Sequence, residues 1–294
     1  MEWNDFTSLT AENMQAIWDF KTKDPFSILC IHPLETDRGI KTVIRTYQPQ
    51  ACYVRGESCD GTEEFDFVKL GDTGFFEAIL DLEYKPFFYK LIIKQGDGIE
   101  YTLVDPYAFL PVLSDFDRHL IATGTHYELY RKLGANLIEH QGFKGVHFAV
   151  WAPNARAVSV VGNFNSWDGR RHQMRMLGAS GIWEIFIPNL GENELYRFEI
   201  HGADGNLHVK VDPLAKLAEV RPATASITTH LDGYEWGDDL YMKTHWATKV
   251  FGAPMNIYEV HAGSWRRDPA NPDRFLNWDE LSERLIPYLK EMGY

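Results

Sequence analysis

Cysteine is scarce in this 294-residue sequence, which contains three cysteines, Cys30, Cys52 and Cys59. Three is too few, and odd in number, for a disulfide framework. Together with His32 they also lack the paired ligand spacing of a zinc site. We therefore expect no metal site, no cofactor and a reducing compartment, the cytoplasm.

Basic charge and long apolar runs are also lacking. The formal net charge is −13, whereas proteins that follow nucleic-acid phosphates or bind anionic membranes present basic surfaces. No stretch reaches the roughly 20 apolar residues of a membrane span, and the N-terminus is acidic without an apolar run. Nucleic acid and membrane are therefore not expected partners, while a neutral partner such as a polysaccharide is compatible with this charge.

An internal repeat is the strongest signal in the sequence. Four segments recur further along the chain, first at an offset of 104 residues and then at 107. The second copy therefore has three additional residues, which we place around 163–168. The matching pairs are 47–51 with 151–155, 74–80 with 181–187, 89–93 with 196–200, and 105–108 with 212–215.

Each copy has the pattern of short antiparallel strands. Tyr196, Phe198 and Ile200 alternate with polar residues, which is typical of a half-buried strand, and Asp-Gly pairs mark tight turns between strands. The sequence therefore predicts a mainly β protein with tandem immunoglobulin-like β-sandwiches. Before the strands, Thr10 is predicted to be the N-cap of a short helix, with Leu9 and Met14 as a hydrophobic staple.

The last forty residues have a different pattern. Residues 256–265 predict a strand that ends in a small-residue loop, and 277–292 predict an amphipathic helix capped by Asn277 and Glu280. A single strand and helix cannot bury themselves, so we interpret them as the truncated start of a larger barrel. The predicted divisions are 1–24 N-terminal helix, 25–113 first sandwich, 114–141 linker, 142–235 second sandwich, 236–254 linker, and 255–294 first βα unit.

Several motifs together resemble the bacterial 1,4-α-glucan (glycogen) branching enzymes. They are Phe148 to His172, Ser180-Gly-Ile-Trp-Glu184, Arg221-Pro-Ala-Thr-Ala-Ser226, and Ile257-Tyr-Glu-Val-His261 with Gly263-Ser-Trp-Arg-Arg267. The match covers most of residues 128–294. It departs from the family pattern at Gln173, where proline is usual, and at Leu214, where tyrosine is usual after Asp-Pro.

The resemblance implies a glycogen-binding second sandwich of the CBM48 type, and it implies that the last residues are the truncated start of a (β/α)₈ barrel of the α-amylase type with a retaining mechanism. Such an enzyme cleaves an α-1,4-glucan and transfers the cut chain to a 6-hydroxyl, making α-1,6 branches in glycogen biosynthesis. The family's catalytic carboxylates follow later barrel strands, so no catalytic residue is expected in this chain, which should be inactive alone. The implied partners are α-1,4-glucan or glycogen and a missing C-terminal barrel, with a monomer expected.

The segment Phe164-Asn-Ser-Trp167 matches the sugar-binding segment of glycogen-binding modules, which makes Trp167 and Asn165 the candidate carbohydrate-binding residues. A flat aromatic face can stack on the apolar face of a sugar ring. The alternative is that Trp167 packs as core under its own loop, and it is favoured because Leu207 stands where a second aromatic platform is expected. The first copy lacks the segment and is interpreted as a spacer or packing domain.

Weaker candidates have simpler interpretations. His261 is expected to be a hydrogen-bonded structural histidine, and Arg170, Arg171 and His172 are expected at a solvated or interdomain surface. Two other functions stay open at this point. The chain could be a stand-alone glucan-binding or regulatory protein, or the N-terminal part of a related debranching enzyme or maltooligosyltrehalose hydrolase.

Overall fold

The computed structural model describes residues 7–37, 39–247, 252 and 254–294. It divides into two compact units, Met1–Asp232 and Gly233–Tyr294. Residues 1–6 of the predicted N-terminal division lie outside the described residues, as do 248–251 and 253 of the second predicted linker. None of the described helices has the length and apolar character needed to cross a membrane.

The first sandwich consists of two antiparallel sheets with the strand orders β1-β2-β6-β5 and β4-β3-β7-β8. Alternate residues of both sheets face one shared apolar core, as a half-buried strand requires. Its strands are β1 Cys30–Thr36, β2 Gly39–Tyr47, β3 Ala51–Ser58, β4 Glu64–Asp66, β5 Val68–Lys69, β6 Phe75–Glu83, β7 Tyr89–Gln95 and β8 Glu100–Val104.

The second sandwich repeats this plan with the sheets β12-β13-β10-β9 and β11-β14-β17-β16, and β15 pairs with β14. The chain is therefore mainly β, as predicted. The strands are β9 Gly134–His140, β10 Phe143–Trp151, β11 Ala155–Gly162, β12 Arg175–Met176, β13 Ile182–Pro188, β14 Leu195–Gly202, β15 Leu207–Lys210, β16 Leu217–Ala218 and β17 Ser226–Ile227.

The two sandwiches share their strand registers. Val43 pairs with Ile79 in the first sandwich, and the repeat-related His147 pairs with Phe186 in the second. The β3–β7 and β11–β14 pairs even carry an irregularity at equivalent places, between residues 51 and 53 and between 155 and 157. The predicted repeat therefore extends to the pairing registers of the strands that the two sandwiches share.

One turn shows why the repeat keeps its glycines. Gly74 and Gly181 both have positive φ, 80° and 73°. A Cβ added to either glycine would lie 2.8 Å from the Cα of Pro49 or 2.7 Å from the Cα of Pro153, respectively, closer than such atoms approach. The turn therefore requires glycine in both copies, for its conformation and for its space.

The repeat begins earlier than the strands, with a helix. Helix α1, Ala11–Trp18, is capped by the Thr10 side chain, and helix α2, Asp115–Ala122, is capped by Ser114 at the equivalent position. The Thr10 cap was predicted, but 114–141 was expected to be a linker, which is wrong. This segment contains α2 and also β9, which pairs along its whole length with β10.

A buried glutamate attaches each helix to its sandwich. Glu77 accepts hydrogen bonds from the backbone N of Ser8, at 3.1 and 3.0 Å. The equivalent Glu184 accepts from the backbone N of Val112 at 3.0 Å and of Leu113 at 3.1 Å. Each repeat is thus a helix and a sandwich joined through one carboxylate.

The end of α1 and the segment after it contact both sandwiches. Trp18 donates from Nε1 to the Thr73 carbonyl of the first sandwich at 3.1 Å, so the helix docks there. On the other side, the Ile17 carbonyl accepts from Nε2 of Gln173 at 3.0 Å, and the Lys23 carbonyl accepts from the backbone N of Met176 at 2.7 Å. The ring of Phe20 stacks on His201, with ring centroids 3.8 Å apart.

Arginines complete the contact between the sandwiches. Arg175 lies over the ring of Phe26, with 3.7 Å between its guanidinium carbon and the ring centroid, and donates to the Phe109 carbonyl at 2.6 Å. Arg171 lies 5.0 Å from the ring centroid of Tyr101 and is buried. The predicted interdomain position of Arg171 is therefore confirmed.

The second unit contains helices α3, Asp239–Ala247, and α4, Trp278–Glu291. The capping box of Asn277 and Glu280 is present as predicted. The expected strand at 256–265 is not: apart from the Arg267–Phe275 bridge, no residue described in 254–294 has a ladder partner, and a strand needs a neighbour to hydrogen-bond with. The start of a barrel therefore stays a prediction. His261 is hydrogen-bonded to Ser264, Nδ1 to Oγ, at 2.8 Å.

Candidate functional site

The candidate site is the loop that joins β11 to β12, because there the two sandwiches differ. The repeat offset is 104 residues up to β11 and 107 from β12 onward, so the three additional residues lie in this loop. The loop begins with a 3₁₀ turn at Asn163–Asn165, and Ser166 and Trp167 follow with positive φ of 57° and 59°. Two consecutive left-handed residues other than glycine are unusual and require support from their surroundings.

Asn165 provides that support. Its side chain is fully buried, its Oδ1 accepts from the backbone N of Gly162, and its Nδ2 donates to the Val160 carbonyl, each at 2.9 Å. Nδ2 also donates to Nδ1 of His172 at 2.9 Å. These bonds use the amide within the loop, so any contribution of Asn165 to sugar binding is to hold the loop in shape.

Trp167 lies at the surface of this loop with 39% of its area exposed. Its Nε1 donates to Oδ1 of Asn163 at 2.9 Å, and its backbone N donates to the Gly162 carbonyl at 2.9 Å. The guanidinium carbon of Arg197 lies 6.0 Å from the ring centroid. The indole is therefore fixed in orientation and accessible, which is the arrangement that stacking on a sugar ring needs.

One ion pair lies in the same loop as Trp167. Arg170 donates to both carboxylate oxygens of Asp168, at 2.9 and 2.7 Å. Burial raises the pKa of Asp168, but the hydrogen bonds from the Arg170 side chain and backbone lower it more, so the pKa lies below its usual range. The loop thus presents a neutralised ion pair next to an aromatic face, which suits an uncharged ligand better than an ionic one.

His172 closes the base of the loop. Burial lowers its pKa to about 3, with a further lowering from the neighbouring Arg171. The imidazole is therefore neutral at physiological pH, and its Nδ1 accepts from the Asn165 amide.

This burial predicts a pH dependence of stability. The unfolded chain gains a proton at His172 near pH 6.5 and the folded chain does not, so the stabilisation is complete above pH 6.5 and falls by about 1.4 kcal/mol per pH unit below it. The loss should reach about 2 kcal/mol at pH 5. Urea unfolding of the wild type and of His172→Asn at pH 7.5 and 5.0 measures this loss. The quantity to compare is the slope of the unfolding free energy against pH in the two proteins. Equal slopes would show that His172 is protonated in the folded protein.

Trp151 is a second exposed aromatic residue that the sequence did not indicate as functional. It served there only to align the two copies of the repeat. Trp151 ends β10 and is 59% exposed, whereas its counterpart Tyr47 in the first sandwich is 5% exposed. Leu207, where a second sugar platform was expected, is exposed on β15. The signal that could have revealed Trp151 is that the residue covering this position differs between the two copies.

Two family models match the chain in tandem. Residues 10–107 match the model described as "alpha-1,4-glucan branching enzyme GlgB, N-terminal domain". Residues 132–215 match "Carbohydrate-binding module 48 (Isoamylase N-terminal domain)". The candidate loop and Trp167 lie inside the second match.

Individual curated proteins give the same result and match more of the chain than the family models do. The chain is 45% identical over 286 residues to the 1,4-alpha-glucan branching enzyme GlgB of Novosphingobium aromaticivorans, covering 97% of this chain and 38% of that protein. It is 43% identical over 300 residues to the corresponding protein of Ralstonia nicotianae, covering 97% of this chain and 39% of that one. The chain thus spans less than half the length of the relatives it matches.

Among solved structures, type I pullulanase from Bacillus subtilis in complex with maltose is 16% identical, covering 71% of this chain and 28% of that one. Its TM-score of 0.31 is too low to support an argument. The similarity depends instead on the two tandem matches and on identities of 42–45% to proteins of one name. Through its two sandwiches, the chain is similar to the amino-terminal portion of proteins named 1,4-alpha-glucan branching enzyme.

Proposed function

We propose that this chain is the amino-terminal portion of a glycogen branching enzyme. The complete enzyme cleaves an α-1,4-glucan and transfers the cut chain to a 6-hydroxyl of another chain, forming α-1,6 branches. The observation that supports this most is the match over 97% of the chain to proteins named 1,4-alpha-glucan branching enzyme. The catalytic carboxylates belong to an α-amylase-type barrel beyond the part matched here, and the chemistry is retaining.

In this proposal the second sandwich holds the glucan and the first sandwich supports it. Trp167 is the platform, its indole face stacking on a glucose ring, while Asn165 keeps the backbone of 166–167 in its left-handed conformation. The charges of Asp168 and Arg170 neutralise each other, so the neutral polymer need not desolvate either of them as an isolated ion. The first sandwich has no equivalent loop, and its contacts through Arg171 and Arg175 support a packing role.

The protein acts in the cytoplasm as a monomer under this proposal. Glycogen is the substrate and product, and no metal or other cofactor takes part. The free cysteines, of which Cys52 is exposed, are compatible with a reducing compartment.

Replacing Trp167 with alanine should weaken retention on glycogen in affinity electrophoresis by roughly tenfold, since truncating a central aromatic contact typically costs more than 1 kcal/mol. Trp236→Ala is the matched control, because Trp236 is 74% exposed and lies outside both sandwiches. The far-UV circular dichroism of both variants should equal that of the wild type. An unfolded Trp167→Ala would show that this residue is core, and a folded variant with unchanged retention would place the glucan elsewhere.

A further inference from the structure

The two helix–sandwich repeats differ at one position of their helices. In the second repeat a cavity lies beside that position. Trp18 ends helix α1, and its repeat equivalent at the end of α2 is Ala122. The helices start at equivalent caps and attach to equivalent glutamates, so these two positions occupy the same place relative to their sandwiches.

In the first repeat the indole of Trp18 fills this place. Its Nε1 donates to the Thr73 carbonyl at 3.1 Å, and its ring meets Phe75 edge to face, with centroids 5.6 Å apart. The ring of Tyr47, which stacks on Phe75 at 4.6 Å, is buried beneath it.

The second repeat keeps the walls of this place. Ser180 forms the same turn as Thr73: its Oγ donates to the Leu177 carbonyl at 2.8 Å and accepts from the backbone N of Ile182 at 3.1 Å. In the first repeat, Thr73 Oγ1 donates to the Leu70 carbonyl and accepts from the backbone N of Phe75 in the same way.

What the second repeat lacks is the ring. A cavity of about 420 Å³ is present there, lined by Ile121, Ala122, Trp151, Ser180, Ile182 and Leu214, among others. Ile182, Ser180 and Trp151 are the equivalents of Phe75, Thr73 and Tyr47, the three residues around Trp18. This volume falls in the range of about 300–1,000 Å³ that is usual for small-molecule sites.

Two further observations agree with an unfilled ring site. Trp151 is 59% exposed where Tyr47 is 5% exposed, as expected when the covering ring is missing. Among the described side chains, none donates a hydrogen bond to the Ser180 carbonyl, whereas the Thr73 carbonyl receives one from Trp18.

We propose that this cavity binds a planar aromatic ring that carries an N–H donor, of the indole type. The ring lies between Ala122, Ile182 and Trp151, and its N–H donates to the Ser180 carbonyl as Trp18 donates to Thr73. This site is separate from the proposed glucan platform, because Trp151 precedes strand β11 and Trp167 follows it.

Isothermal titration calorimetry of the whole chain with indole tests the site. We expect saturable 1:1 binding, and binding of 1-methylindole about fivefold weaker, since that ring cannot donate the hydrogen bond. N-acetyl-L-tryptophanamide distinguishes the source of the ring: tighter binding than indole indicates a tryptophan side chain of a peptide segment, and weaker binding indicates a free small molecule.

Filling the cavity from within provides the matched control. Ala122→Trp and Ala122→Leu should each weaken indole binding at least tenfold while keeping the native circular dichroism, and Ala11→Trp, an exposed site on α1, should bind as the wild type does. Absence of saturable indole binding would overturn the proposal. So would binding that survives in a folded Ala122 variant, or equal binding of indole and 1-methylindole.

Discussion

Replacing Glu184 with alanine should destabilise the chain by about 3–5 kcal/mol, the range measured when one partner of a buried ion pair is removed. Glu184 is 1% exposed and binds Nε2 of His147 at 3.0 Å, with Nε of Arg175 at 3.6 Å. The substitution leaves Arg175 buried without its carboxylate. It also removes the acceptor for the backbone of Val112 and Leu113, by which helix α2 is attached.

Urea unfolding at pH 7 measures this loss, with Glu139→Ala as the control. Glu139 is exposed on β9, so its replacement should change the unfolding free energy by less than about 0.5 kcal/mol. A Glu184→Ala variant that unfolds at the same urea concentration as the control would contradict the assigned role.

The stability lost on replacing Glu184 with alanine should depend on pH. Burial raises the pKa of Glu184, but the bonds from His147, Arg175 and the backbone lower it more, so the folded pKa is below its usual range. Its stabilisation is therefore present above the ordinary carboxylate range and is lost as the pH falls through the lowered value. The difference between wild type and Glu184→Ala should accordingly shrink in acid.

The purified 294-residue chain should neither branch nor hydrolyse amylose. Retaining glycosidic chemistry needs two carboxyl groups about 5–5.5 Å apart in a rigid frame, and enzymes of this kind accelerate reactions by a factor of at least about 10⁶. In the second unit, Asp268 and Glu280 instead form ion pairs with Arg274, at 2.6 and 2.7 Å. Neither carboxylate is placed against a glucan by a barrel of strands.

Iodine absorbance and reducing-end assays measure this, with the branching enzyme of Novosphingobium aromaticivorans as the active control. The chain should give the same readings as a mock purification, while the control lowers the iodine absorbance. Branching or hydrolysis above the mock level would place an active site within these 294 residues. It would contradict the proposal that the catalytic carboxylates belong to a barrel beyond the matched part.

The sequence was sufficient to predict the sandwiches and their repeat, because strand alternation and turn glycines are local signals. Alternating Tyr196, Phe198 and Ile200 appear in the structure as predicted, and so do the turn glycines of the Asp-Gly pairs, Gly98 and Gly205, with positive φ. Helix α2 was missed because it is short, with 8 residues, and its only buried residue is Asp117. The signal available was the Ser114–Asp117 capping box, which forms in the structure.

The candidate site was predicted in part. The position of Trp167 on an irregular loop follows from the three additional residues of the second copy. The inward orientation of Asn165 could not be predicted, because its partners Val160 and His172 come together only when the loop closes. The cavity beside Ala122 was equally hidden, since it depends on comparing the structural surroundings of two helices.

The stretch from the end of α1 to β1 has a consequence for synthesis. The carbonyls of Ile17 and Lys23 receive their hydrogen bonds from Gln173 and Met176, more than 150 positions later in the chain. During translation, which proceeds from the N-terminus, the first repeat leaves the ribosome long before these donors exist. We therefore expect the nascent first repeat to fold around its own core while its entry segment stays open, and to become protease-resistant only after the second sandwich has emerged.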